Sequence, residues 1–162
     1  MIVTKRLTIQ WCRAKKDAYE QHVAWLNDPE NVRYSEQRHL RHTIETQDLY
    51  AAEHEDFREV FYGNQLVGTI SADLDMGNSV ANVGILIGKK YWGDGIGSEA
   101  WKGFCDHLLN TGVRKIEAGM MSINRGMIKI CQKYEMFEEG RLAQHFLLDD
   151  LLVDQVNYGK FR

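Results

Sequence analysis

The residues best suited to chemistry are six in a row, Gly93-Asp94-Gly95-Ile96-Gly97-Ser98. They follow an apolar, β-branched run, Val83-Gly84-Ile85-Leu86-Ile87, that reads as a buried strand. They precede a helical stripe of Ala100, Trp101, Phe104, Cys105, Leu108 and Leu109. A strand, a glycine turn and a helix start together make an anion site. Glycines let the backbone approach a phosphate, and the first helical turn aims unpaired N–H groups and a positive dipole end at it. Asp94 would repel phosphate if it faced inward, so its side chain is expected in solvent. The plainer alternative is that Gly93, Gly95 and Gly97 only make a tight turn and let helix and strand pack closely. No Gly-Lys-Ser/Thr ending follows, and the Gly-x-Gly-x-x-Gly spacing is absent, which excludes the Walker and Rossmann loops.

The elements that must position this turn fit one domain over residues 1–162, long enough to bury a real core. Apolar content of 44% and charged content of 27% are those of a soluble globular protein, and a formal net charge of -3 argues against general binding to nucleic acid. No apolar run reaches the length of a membrane span, and the start Met1-Ile2-Val3-Thr4-Lys5-Arg6 lacks a signal-peptide core. Cys12, Cys105 and Cys131 are scattered and odd in number, which suits a reducing cytoplasmic compartment. His39-x-x-His42 has no third ligand beside it, so no metal site is expected there.

In chain order, Leu7, Ile9 and Trp11 alternate as a half-buried strand. Tyr19, His22, Val23 and Leu26 share a helix face that Asn27-Asp28-Pro29 ends. Residues 30–42 read as a long loop holding a short helix, and Thr43 caps a helix over 44–53. Strands 57–62 and 65–72 flank a Gly63-Asn64 hairpin turn. The helix after the glycine turn stops at Thr111-Gly112. A strand over 115–120 leads to Asn124, the cap of a helix with Met127, Ile130, Cys131 and Tyr134 on its stripe. Strands 139–148 and 151–161 meet at Asp149-Asp150. The alternation predicts a mixed α/β or α+β sheet with helices on both faces.

In this order and spacing the residues resemble the GNAT acetyltransferases, most of all the RimJ/RimL-like branch, over nearly the whole chain. Trp92-Gly93-Asp94-Gly95-Ile96-Gly97 is similar to the family's Arg/Gln-x-x-Gly-x-Gly/Ala motif, with Trp92 at the Arg/Gln position. The stretch from Asn124 to Phe137 resembles the second motif, with Met136-Phe137 where a Gly-Phe pair is usual. Glu139-Gly140-Arg141-Leu142, the Asp-Asp turn and Val153-Asp154 also look like this branch. The resemblance implies a largely antiparallel sheet of about seven strands and acetyl-CoA as co-substrate. It implies that residues 93–98 (Gly93, Asp94, Gly95, Ile96, Gly97, Ser98) cradle the diphosphate. It further implies that Ile85, Leu86 and Ile87 offer backbone groups to the pantetheine arm, one N–H acting as oxyanion donor, and that Asn124 bonds the pantetheine.

The family's usual tyrosine acid, seven residues past that asparagine, is replaced by Cys131, with Tyr134 one turn on as the substitute. Cys131 is read either as a proton donor to the departing thiolate or as a core cysteine. The acceptor amine must lose a proton, for which Glu117 and then His145 are the candidate bases. In the family fold the acceptor enters between the N-terminal helical region and the last hairpin, so Arg33, Tyr34 and Arg38 are candidate substrate contacts, suited to an anionic group or a sugar or base ring. The expected activity is acetyl transfer to a primary amine of a small molecule, an amino sugar or amino-sugar nucleotide in particular. The alternatives are acetylation of a protein N-terminus and a non-catalytic acyl-CoA-binding module. The expected partners are the co-substrate and the amine, with a homodimer as an option and neither nucleic acid nor membrane.

Overall fold

A computed structural model describes residues 1–12, 16–54 and 56–162. Its centre is an eight-stranded sheet. In chain order the elements are β1 (Ile2–Val3), β2 (Leu7–Trp11), α1 (Lys16–Leu26), α2 (Ile44–Glu53), β3 (Asp56–Tyr62), β4 (Gln65–Asp75), β5 (Val80–Ile87), α3 (Ile96–Asn110), β6 (Lys115–Met121), α4 (Arg125–Lys133), β7 (Phe137–Leu148) and β8 (Leu151–Phe161). The strand order is β1-β2-β3-β4-β5-β6-β8-β7, and every neighbouring pair is antiparallel except β5 with β6. The sheet thus has one strand more than the seven expected. The extra strand is the two-residue β1, too short to leave an alternating pattern in the sequence. No described helix is long and apolar enough to cross a membrane.

Adjacent residues of β3 show that helices cover both faces, because successive side chains of a strand point oppositely. Phe57 meets His22 of α1 and Tyr50 of α2 edge-on. Arg58, its neighbour, turns the other way, lies over the ring of Phe104 in α3 and forks onto Asp56. The main core lies on this second face, where Trp101, Phe104, Cys105 and Leu108 of α3 and Cys131 of α4 are buried among Ile9, Val60, Ile70, Ala81, Ile116 and Val156 of the sheet.

The local signals act as their chemistry requires. The Thr43 hydroxyl accepts from the Thr46 amide, and the Thr46 hydroxyl accepts from the Thr43 amide, closing a capping box. Gly63 takes the left-handed conformation at the first central place of its hairpin (φ 58°). The β7–β8 turn places Asp149 and Asp150 both at positive φ, as a type I′ turn needs. Asn27 closes the long loop by pairing its carboxamide both ways with the His42 backbone, at 2.9 Å each.

Gly88, at the head of β5, carries a packing duty instead. A Cβ there would lie 2.5 Å from Nε1 of the buried Trp25, so α1 rests directly on the backbone where the glycine-turn segment begins. Gly88→Ala is expected to cost about 1–3 kcal/mol by overpacking, read as a lower denaturation midpoint at unchanged m-value.

Candidate active site

The site begins where two neighbouring strands stop pairing. β5 and β6 run parallel and pair only at Val80–Lys115, Ala81–Ile116 and Asn82–Glu117. Beyond that point β5 stays with β4 as far as Gly68–Ile87, and β6 stays with β8 as far as Met121–Gln155. The two strands therefore part into a V, and each keeps one edge without a strand beside it.

The register tells which backbone groups face the gap. The Gly88 amide donates to the Val67 carbonyl at 3.0 Å, which makes Leu86 and Gly84 the residues bonded to β4. Val83, Ile85 and Ile87 then direct their N–H and C=O groups toward β6. On the far wall the Ser122 amide donates to Asp154, so Gly119 and Met121 turn their backbone groups toward β5. Of the three residues named from the sequence, Ile85 and Ile87 thus face the gap, while Leu86 spends its backbone on β4. From Val83 to Ile87 the open edge runs about 13 Å. Trp92 caps its upper end, the indole N–H donating to the Ile87 carbonyl at 2.7 Å.

Directly above the open edge lies the start of α3. Gly93 and Gly95 both hold left-handed backbone (φ 89° and 76°), which a side chain would strain. Gly95 is the N-cap and has no side-chain bond to offer, so the amides of Ile96, Gly97 and Ser98 have neither an intrahelical acceptor nor a capping side chain. Unpaired helix-start amides at the positive end of the helix dipole are the chemistry of a candidate anion cradle. Gly97 differs from the other two glycines. A Cβ on it would meet Ile130 of α4 at 3.2 Å and Ile87 of β5 at 3.7 Å, so this glycine sets how closely α3, α4 and β5 approach. Asp94 is exposed, as expected, and its carbonyl accepts from the Arg6 guanidinium at 3.1 Å.

That arginine belongs to a clamp with no mark in the sequence. Glu99, in the first turn of α3, accepts from the Thr4 hydroxyl and from the Arg6 amide and Nε, each at 2.7 Å. Burial pushes the Glu99 carboxyl up, but the Thr4 and Arg6 bonds outweigh it and hold the group ionised, below its usual range. Arg6 thereby ties the N-terminal strands to the glycine turn and places a guanidinium beside the anion cradle.

The remaining candidates divide. Asn124 caps α4, its carboxamide oxygen accepting from the Met127 amide at 3.1 Å, which leaves its N–H groups as the donors for a ligand. Cys131 is fully buried in the core, and burial pushes its thiol up to about 12, so it stays protonated at neutral pH. Tyr134 donates its hydroxyl proton to Asp106 of α3 at 2.8 Å and lies beneath Lys160, an engaged position for a proton donor. Glu117 stands at the last paired position of the V and is bonded to Lys115 at 2.6 Å; that bond and a second one to Glu139 raise the Lys115 ammonium. His145 is exposed on β7, edge-on to Phe146 in the stretch where the β7–β8 register shifts. Glu117 also lines an open groove of about 380 Å³ with Asn82, Glu139, Gln155 and Asn157.

Arg33 and Arg38 bond to the last hairpin. Arg33 pairs with Asp149 at 2.6 Å, and Arg38 donates to the Leu147 carbonyl at 3.1 Å. At the other end of the same loop the Asn31 carboxamide accepts from the Lys89 amide at 2.7 Å, and Glu30 pairs with the Lys89 ammonium. The loop therefore spans from the head of β5 to the β7–β8 tip. Tyr34 is exposed on it.

A family model described as the acetyltransferase (GNAT) domain matches residues 6–136. The chain belongs to the GNAT acetyltransferase family, whose acyl donor is acetyl-CoA. No curated protein matches it in sequence. Among solved structures it is similar to a GNAT-family acetyltransferase from Bacillus anthracis, at 19% identity and TM-score 0.84 over 99% of this chain and 97% of that one. The microcin C7 self-immunity acetyltransferase MccE, solved with acetyl-CoA and AMP, aligns at 16% identity and TM-score 0.82, covering 98% and 93%. RimL, the ribosomal L7/L12 α-N-protein acetyltransferase, solved with coenzyme A in a disulfide to one of its own cysteines, aligns at 15% and TM-score 0.85, covering 98% and 96%.

Gly95→Asp tests the cradle selectively, because aspartate tolerates left-handed backbone better than most residues and the new side chain would point at Arg6. Its acetyl-CoA affinity by calorimetry is expected to fall more than about tenfold, and that of Arg6→Met about fivefold, with circular dichroism unchanged. Undiminished affinity in both variants contradicts the assignment.

Proposed function

We infer that the chain is a single N-acetyltransferase domain that moves the acetyl group of acetyl-CoA to a primary amine of a small molecule by direct attack in a ternary complex. The observation that carries this reading is the V between β5 and β6, with an unpaired backbone edge on β5 and an uncapped helix start at its head. Acetyl-CoA supplies an activated acyl group. The amides of residues 93–98 receive its diphosphate, and the edge groups of Ile85 with the Ile87 amide pair with its arm as another strand would. An N–H of the same edge polarises the thioester carbonyl, which is where charge develops. Glu117 receives the incoming amine at the closed end of the V, and its carboxylate draws an ammonium in and takes part in removing its proton. The leaving thiolate takes up the proton released by the amine, through water, while Cys131, fully buried and held protonated, supports its reading as a core cysteine.

The acceptor reading is a molecule that carries both an amine and an anionic group, an amino-sugar nucleotide above others. Arg33 and Asp149 are both more than half exposed, so an incoming phosphate competes with that carboxylate at little cost. Tyr34, next to Arg33 in sequence and exposed, offers a stacking face. The AMP bound by MccE supports a nucleotide-bearing acceptor on this fold. A second reading, acetylation of a protein N-terminus, is favoured by the likeness to RimL.

Comparing kcat/KM for an amino-sugar nucleotide, an alanine-ending peptide and spermidine separates these readings. The nucleotide is expected to lead, with Arg33→Ala and Arg38→Ala raising its KM and Glu117→Gln lowering kcat about tenfold to a hundredfold at unchanged acetyl-CoA affinity. Spermidine leading, with the arginine variants unaffected, contradicts the anionic acceptor. The peptide leading selects the second reading.

A further inference from the structure

Between the end of β2, the inner face of α1 and β3 lies a donor set that the acetyl-transfer site does not use. Cys12, His22 and Glu59 each offer one ligand atom, and the three atoms lie within 4.8 Å of one another. Glu59 Oε1 is 3.6 Å from His22 Nε2 and 3.8 Å from Cys12 Sγ. Those separations are too long for strong hydrogen bonds. They match a shared metal instead: ligands about 2.1 Å (N, O) and 2.3 Å (S) from one zinc ion, at the tetrahedral angle, stand roughly 3.4–3.7 Å apart.

His22 supplies an independent observation. Its side chain is only 1% exposed, and neither ring nitrogen has a hydrogen-bond partner among the described residues. A buried imidazole normally satisfies at least one nitrogen. This one is walled by the rings of Tyr19, Trp25 and Phe57. A bound cation takes the Cys12 sulfur as a thiolate and releases its proton on binding. Cys12 is partly exposed, which gives an ion a way in.

We propose that Cys12, His22 and Glu59 bind a thiophilic divalent cation, zinc by its ligand chemistry, that fastens the middle of α1 to β3 and the end of β2. Tyr19, whose hydroxyl bonds Cys12, stands next to the set, and a water or that hydroxyl completes the tetrahedron. The role is structural: α1 carries Trp25, which packs on Gly88 at the head of β5.

Cobalt(II) is the probe, because a thiolate bound to it gives a ligand-to-metal charge-transfer band in the near ultraviolet. Titrating the metal-stripped full chain is expected to show that band saturating at one equivalent, with visible bands of tetrahedral intensity, displacement by zinc and a raised melting temperature. Cys12→Ser should abolish the band, and Cys105→Ala should keep it. His22→Gln should weaken binding more than about tenfold. Because a variant that misfolds would be silent, the wild-type titration decides alone. Absence of both the band and the melting shift in the wild-type chain overturns the proposal, as does a band that survives in Cys12→Ser.

Discussion

The organisation of this protein depends on one broken pairing. β5 and β6 are neighbours for three residue pairs and then separate, each held instead by its outer antiparallel partner. Backbone N–H and C=O groups in a sheet normally find partners, so an edge opened in mid-sheet is costly unless something else satisfies it. The Trp92 indole satisfies the Ile87 carbonyl. The groups below it are left at the spacing of a strand, and that spacing is what an extended chain of amides recognises.

Several contacts hold the two halves of the V at a fixed opening. On the core face, α3 and α4 meet across it, and Gly97 lets Ile130 come against the first turn of α3. On the opposite face, the loop closed by Asn27 and His42 reaches from Lys89 to the β7–β8 tip. The Met121–Leu148–Val153 cluster anchors that tip to the end of β6. Arg33 and Arg38 thus hold the loop to the last hairpin. A ligand that draws Arg33 from Asp149 would also loosen the loop's hold on the hairpin.

The parts of this arrangement legible in the sequence were those with local causes. Thr43 and Asn124 as caps, Gly63 in a turn, Gly112 after a helix and the α3 stripe all act over a few residues, and each stands where the pattern puts it. What escaped the sequence was set by register or by long-range contact. Whether Leu86 or Ile85 faces the gap depends on which carbonyl of β4 meets Gly88, and alternation of side chains is silent on that. The Arg6–Glu99 clamp joins residues from opposite ends of a large stretch of chain, and the Asp106 partner of Tyr134 lies on a different helix. The grouping of Cys12 with His22 and Glu59 likewise exists only once β2, α1 and β3 have come together.

The most direct test is hydrogen exchange at single amides of the β5 edge, measured by NMR with and without saturating acetyl-CoA. The account predicts that the Ile85 and Ile87 amides gain protection on binding, while the Leu86 amide, already bonded to β4, barely changes. Saturating binding that leaves both Ile85 and Ile87 exchanging as in the free protein would contradict it.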